Sequence, residues 1–299
     1  IYAFEVNGDF DVCQALAKRL LGDRNFARQV FKDSDRFTSA NSISLGRLLP
    51  QAVSPFFAYS RIAHYDEPMI ASVPSGNFGD MMGTVRAKEM GLPIPKILCG
   101  VNENREFPEV LNTGSYVVKP SIKSPSSAMI VSNPSNFARL IDLYGGHVYD
   151  ERDDQGKVMQ EGVVDSLPDI DAMKRDLFSI GVSNPDHYTA IQEVHERFDI
   201  IIEPHGSVGW RVLDTFLSGN HDRLAVIYET ADPGKFPDDI RDAIGVVPDV
   251  PEGIAQQAGK HERIYSINEP PEVSQDGSLT LSDAQYEKAQ GIMRDIFSN

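Results

Sequence analysis

The stretch that most constrains this chain is the passage from Met69 to Asp80. There an apolar, β-prone run, Met69-Ile70-Ala71-Ser72-Val73, enters Pro74-Ser75-Gly76-Asn77-Phe78-Gly79-Asp80 without a spacer. A helix beginning around Met81 and Val85 follows, and Gly91 with Pro93 should end it. A second apolar strand then comes at Ile97-Leu98-Cys99-Gly100-Val101. Apolar strands alternating with helices are the pattern of a parallel sheet covered on both faces. Glycines between a buried strand and a helix start leave backbone N–H groups unshielded, and the helix dipole adds favourable potential there, so the loop reads as an anion-binding nest. It is not the nucleotide P-loop, because Gly79 is followed by Asp80 where that motif needs Lys and Ser/Thr. Nor does Gly76-Asn77-Phe78-Gly79 satisfy the dinucleotide fingerprint.

The rest of the chain reads as α/β around this unit. Residues 1–6 are β-prone, Asn7-Gly8-Asp9 turns the chain, and Val12, Leu16 and Leu20 mark a helix that stops near Gly22. Residues 23–36 look like a polar, charge-mixed connector. The hydroxyls and amide of Thr38 to Ser42 suit the cap of a short helix carrying Ile43, Leu45, Leu48 and Leu49, which Pro50 and Pro55 shorten or kink. Further strands are expected at 199–202 and 224–228, and helices at 137–144, 173–180, 186–197 and 207–217. The acidic stretch 150–171 reads as a solvated surface excursion with no site. Beyond Gly245 the composition turns to Pro, Gly, Glu and Gln, with little strand character. At the end, Ser282 and Gln285 form a capping box ahead of Ala289, Ile292, Met293 and Ile296 on one face.

Charge and cysteine content narrow the partners. Twenty-eight basic against 44 acidic residues leave a net charge of −16, a field that repels phosphate backbones and anionic headgroups, so neither nucleic acid nor membrane is expected. The two cysteines, Cys13 and Cys99, are too few for a disulfide scaffold and too far apart for metal-ligand spacing, and no metal site is expected. With no signal-like N-terminus and no apolar run of membrane length, the expected setting is the cytoplasm.

Six pieces, in this order along the chain, resemble the threonine synthases, fold-type II enzymes that use pyridoxal phosphate. They are Asn7-Gly8-Asp9-Phe10-Asp11 with Cys13-Gln14 and Ala15-Leu16; Ser39-Ala40-Asn41-Ser42-Ile43 with Arg47 and Gln51; Val73 to Asp80; Asn133-Pro134-Ser135-Asn136-Phe137; Glu203-Pro204-His205-Gly206 with Val208-Gly209; and Glu229-Thr230-Ala231-Asp232-Pro233-Gly234-Lys235-Phe236. The resemblance implies two domains with the cofactor cleft between them, residues 1–65 belonging to a smaller, mobile unit and 66–299 to the large one. It implies that Ser75, Gly76, Asn77, Phe78 and Gly79 hold the cofactor phosphate, with Thr230 placing its hydroxyl near the pyridine nitrogen. Asn41, Ser42 and Arg47 would meet the substrate, a guanidinium suiting phosphate or carboxylate through its paired donors. The implied reaction converts the phosphorylated amino acid O-phospho-L-homoserine and water to L-threonine and phosphate.

The chain departs from the family pattern at Asp232, where histidine is usual, and at Ser44, where asparagine is usual. These departures motivate two alternatives, a related phospho-lyase that releases a keto acid and a non-catalytic fragment or paralogue. His205 reads as a structural hydrogen-bonder. No residue matches the catalytic Schiff-base lysine, which the family keeps upstream of the Gly8-Asp9-Phe10-Asp11 piece. Phe31-Lys32-Asp33 imitates that motif in the wrong place, and Lys32 reads as a solvated surface residue. The expectation is a chain corresponding to the C-terminal two-thirds of such an enzyme, able to bind the cofactor phosphate weakly but not to turn over substrate.

Overall fold

In the computed structural model, which describes residues 1–31, 36–153, 158–219, 222–274 and 277–297, the two strands flanking the glycine loop lie side by side. Ile70–Pro74 pairs in parallel with Ile97–Val101, Ala71 opposite Ile97 and Val73 opposite Cys99. Leu177–Gly181 extends the sheet beyond Ile97–Val101, and Ala225–Ile227 adds to the other side of Ile70–Pro74. The result is a four-stranded, all-parallel sheet. Strand alternation divides its side chains. Ala71, Val73, Ile97, Cys99 and Val101 face a core with Met81, Met82, Val85, Phe107 and Phe137, whereas Ile70 and Leu98 face Val212, Leu213 and Leu217 of the helix Pro204–Leu217. Helices therefore cover both faces, as the apolar strands require.

From Ile70–Pro74 the chain passes through the helix Gly79–Glu89 to Ile97–Val101 on one side, while Ala225–Ile227 sits on the other. Strand order reverses at that point, and in open α/β sheets the crevice beyond the carboxyl ends of strands at such a reversal is where ligands bind.

Several local expectations are corrected. Residues 177–180, read as the end of a helix, form the sheet's edge strand, and the helix is confined to Ile170–Asp176. Met173, Leu177 and Ile180 match a helical period, but the open edge of Ile97–Val101 offers Leu177–Gly181 a ladder that outweighs it. Residues 199–202 are not a strand: Ile201 and Ile202 pack beside Ile191 and Ile240 between two helices, and joining the sheet would pull them from that cluster. Within the supposed connector 23–36, Arg24–Val30 is a helix whose Phe26, Ala27 and Val30 are buried. Lys32 and Asp33 of the mimic motif lie outside the described residues. Beyond Gly245, Ile264–Ile267 pairs in parallel with Ala3–Val6, and Glu272–Val273 pairs with Leu279–Thr280. The capping box forms as expected, with Gln285 N–H donating to Ser282 Oγ (3.2 Å) and Ser282 N–H to Gln285 Oε1 (3.1 Å).

The acidic stretch is also structured. His147–Arg152 and Val158–Ser166 form an antiparallel pair, and Asp150 is held by Asn133 Nδ2 (2.8 Å), Lys18 (3.6 Å) and Arg152 (3.1 Å). Nearby, Glu106 is only 6 % exposed. Burial pushes its carboxyl up to about 7 against the lowering pull of its own backbone N–H, and Glu109 and Asp11 add to the rise. A carboxyl whose folded pKa exceeds its unfolded value keeps its proton better in the native state, so this contribution is fully present below about pH 4.5 and is lost as pH rises towards 7. Glu106→Gln is therefore expected to flatten the stability profile across that window. At pH 8 it should gain on the order of 2–3 kcal/mol over the parent, read by urea denaturation.

Candidate functional site

At the carboxyl end of Ile70–Pro74 the chain must leave a buried strand and start a helix within a few residues. Ser75 makes the exit: its N–H donates to Gly100 O (2.8 Å) and its hydroxyl to Val73 O (3.2 Å). Phe78 then takes a left-handed conformation (φ 60°), costly for a residue with a Cβ, and becomes the N-cap of Gly79–Glu89. Its ring pins it there, 2 % exposed and edge-on to Phe107 (5.2 Å) and Phe137 (5.8 Å). A left-handed residue just before a helix turns successive N–H groups towards a common concavity. Among the described residues, the amides of Gly76, Asn77, Phe78 and Gly79 have no protein acceptor. A helix start always leaves such donors without intrahelical partners, and here four of them in succession lie beside a cleft, an arrangement that suits an anionic acceptor.

The cleft is about 440 Å³ and is lined by Gly76, Asn77, Asp80, Ala128, Met129, His205, Thr230, Lys235 and Phe236, among others. Gly76 is required where it stands, because a Cβ would lie 2.7 Å from Ala128 O and 2.9 Å from Met129 Cα. The turn Ser127–Met129 thus forms a wall flush with the loop. His205 holds that wall: its Nε2 accepts from Ala128 N–H (3.1 Å) while Nδ1 faces Glu203 Oε2 (2.5 Å). The two contacts fix the tautomer as Nδ1–H and leave no nitrogen for proton transfer, in line with the structural role read from the sequence. Glu203 caps the helix Pro204–Leu217 through Gly206 N–H (3.0 Å) and His205 N–H (2.8 Å).

A polar network orients Asn77. Its Oδ1 accepts from Gln14 Nε2 (3.1 Å) and Ser135 N–H (3.1 Å), which commits the amide flip and leaves Nδ2 as the unpaired donor among the described residues. Asn136 Nδ2 donates to Asn77 O (2.9 Å) and to Ser42 Oγ (3.0 Å). Arg139 donates to Asn136 Oδ1, to Ser42 O (3.2 Å) and to Ile43 O (2.7 Å). The Asn133–Phe137 motif, given no role from sequence, rivets the glycine loop to the Asn41–Ile43 segment.

The site residues read from sequence are thereby placed. Gly76, Asn77 and Thr230 line the cleft, with Phe78 and Gly79 completing the bend behind it. Thr230 and Asp80 also border an adjoining cleft of about 750 Å³ that holds Arg47, Gln51 and Tyr228. Asn41 and Ser42 line neither cleft; Ser42 Oγ meets Asn41 Oδ1 (3.2 Å) as part of the rivet. Burial raises the Asp80 carboxyl, opposed by a hydrogen bond from Gln51 Nε2 (2.9 Å) and by the charge of Arg47. Sequence reading missed Lys235, Ala128 and Arg139. The lysine stood inside a quoted motif, but nothing in its spacing says which way the Pro233–Lys235 turn faces.

A scan against protein-family profiles finds no match. Against individual proteins, the chain is 33 % identical over 264 residues to the threonine synthase of Corynebacterium glutamicum, covering 85 % of this chain and 54 % of that protein. The crystal structure of threonine synthase from Escherichia coli matches 99 % of this chain and 59 % of its own at a TM-score of 0.78 and 26 % identity. The pyridoxal-phosphate-bound threonine synthase from Brucella melitensis matches 100 % and 60 % at a TM-score of 0.75 and 25 % identity. The chain thus spans about half the length of the curated relatives it matches. In its sequence and in its parallel α/β fold, the chain is similar to the threonine synthases over this part of their length.

Proposed function

We propose that this chain supplies the phosphate-holding side of a pyridoxal-phosphate site, and that a protein containing it converts O-phospho-L-homoserine and water to L-threonine and phosphate in the cytosol. One observation carries the reading: consecutive amides from Gly76 to Gly79 without protein acceptors, at a helix start on the strand-order reversal. A phosphate ester fits them, since it needs several donors and a favourable dipole and tolerates no intruding Cβ. When bound, the cofactor supplies an electron sink for the carbanions left as protons depart from the amino-acid substrate.

The chain's own residues do the rest. The amides of Gly76 to Gly79 would take the phosphate, and Asn77 Nδ2, its Oδ1 held by Gln14 and Ser135, offers a further donor. Thr230, just beyond the carboxyl end of the neighbouring strand Ala225–Ile227, would offer the cofactor ring a neutral hydroxyl rather than a charged partner. Ser75 sets the loop's departure from the strand, and Asn41 and Ser42 hold their segment in register, leaving Arg47 to meet an anionic group of the substrate.

The test uses 4′-deoxypyridoxine 5′-phosphate, which has the ring and phosphate but no aldehyde and so needs no lysine. Calorimetric titration is expected to give binding that inorganic phosphate competes away, whereas pyridoxal without phosphate does not bind. Equal binding of both ring compounds, or of neither, overturns the reading.

A further inference from the structure

We propose that Lys235 is the counter-charge for the phosphate group of the amino-acid substrate, and thus the residue that selects a phosphorylated ligand. The inference rests on the reading of the glycine loop as the cofactor-phosphate site, and concerns the second anion the same cleft must then accept.

Its first support is electrostatic. A chain of net charge −16 repels a dianionic substrate, so the cleft must gather local positive potential. If a cofactor takes the amides of Gly76 to Gly79, those donors are spent. The cations lining the two clefts are then Lys235 and Arg47. Arg47 lies close enough to Asp80 to oppose the rise that burial imposes on that carboxyl, so part of the guanidinium's charge is already answered. The Lys235 ammonium has no hydrogen bond or ion pair among the described residues, and the carboxylate nearest in sequence, Asp232, accepts from Gly234 N–H (2.8 Å).

Its second support is the rigidity of the lysine's base. Lys235 N–H donates to Asp232 O (2.9 Å), and Phe236 N–H to Pro233 O (2.9 Å). Gly234 is buried so tightly that a Cβ would collide with Asp249 O. Phe236 packs on His205 (ring centroids 5.2 Å) and its carbonyl receives the first bond of the helix Pro237–Ile244. A long, otherwise free side chain on an immobile turn at the cleft wall gives up little freedom beyond its own rotamers when an anion arrives.

The experiment titrates the full chain, saturated with 4′-deoxypyridoxine 5′-phosphate, with O-phospho-L-homoserine and with 3-aminopropyl phosphate, which keeps the phosphate and lacks the carboxylate. Lys235→Met should weaken both ligands by about tenfold or more, and Lys235→Arg should restore most of the loss. Weakening of O-phospho-L-homoserine alone would assign the lysine to the carboxylate and overturn the proposal. So would an unchanged affinity for both, or a saturated parent chain that binds neither. Failure of the parent to take up 4′-deoxypyridoxine 5′-phosphate is a separate result: it removes the cofactor reading, and this proposal with it.

Discussion

Gly76→Ala is expected to abolish recognition of phosphate-bearing rings, lowering affinity for 4′-deoxypyridoxine 5′-phosphate on the order of a hundredfold or more, since two or more charge-assisted amide bonds are lost together. The added methyl group would meet Ala128 O at 2.7 Å and Met129 Cα at 2.9 Å. Both obstacles are backbone, so neither can rotate aside. Either the loop moves off the wall or the wall moves off His205, whose bond to Ala128 N–H holds it. Forcing a methyl into a packed site costs about 1–3 kcal/mol, to be read from the urea midpoint in the same variant. Gly291→Ala is the control: that glycine lies in the helix Asp283–Phe297 with nothing within 4 Å of its absent Cβ. It should stabilise by up to about 1 kcal/mol and leave ligand affinity untouched. Equal effects of the two substitutions on affinity would refute a specific role for the Gly76 contact.

Phe137→Ala should be the most destabilising change near the site, at about 3–5 kcal/mol in urea denaturation. Phe137 is 2 % exposed and meets Tyr116 (4.5 Å), Phe78 (5.8 Å) and Phe107 (5.9 Å). Its removal opens a cavity and also frees the ring that keeps Phe78 left-handed. A relaxed Phe78 would return to an ordinary backbone angle and scatter the amides of the bend, so phosphate-ring affinity should fall along with stability. Phe137→Leu, which fills much of the space, should recover the larger part of both. Stability lost with affinity intact would separate the aromatic cluster from the loop geometry.

What could be read before folding, and what could not, follows from the range of the forces involved. The strand, glycine loop and helix from Ile70 to Glu89 are specified within a dozen or so residues by apolar run, turn chemistry and capping, and the structure places them almost at the expected bounds. The capping box at Ser282 is local in the same sense. Leu177–Gly181 was misread because its apolar spacing satisfies a helix, and only the edge left open by Ile97–Val101 decides otherwise. Ile264–Ile267 was missed because a short parallel strand carries little pattern of its own; its partner, Ala3–Val6, stands at the other end of the chain. At the site, Gly76 and Asn77 were legible from motif chemistry and Thr230 from resemblance. Arg139 and Lys235 were not, since a cation's role depends on which carbonyls or which cleft surround it, and that is set by residues far away in sequence.

The pairing of Ala3–Val6 with Ile264–Ile267 bears on how the site is assembled in time. Gln14, which orients Asn77, rides on a helix secured by the far end of the chain: Arg19 meets Asp283 (2.8 Å), Gln285 reaches Asn7 O (2.6 Å) and Tyr286 reaches Asp23 (2.8 Å). The central sheet can close from nearby segments, whereas the first helix gains these anchors only once residues 264–297 are in place. Contacts spanning most of a chain form late, after the entropy of a large loop has been overcome. A chain truncated before Asp283–Phe297 would therefore keep its central sheet but hold Gln14, and through it the Asn77 amide, less firmly.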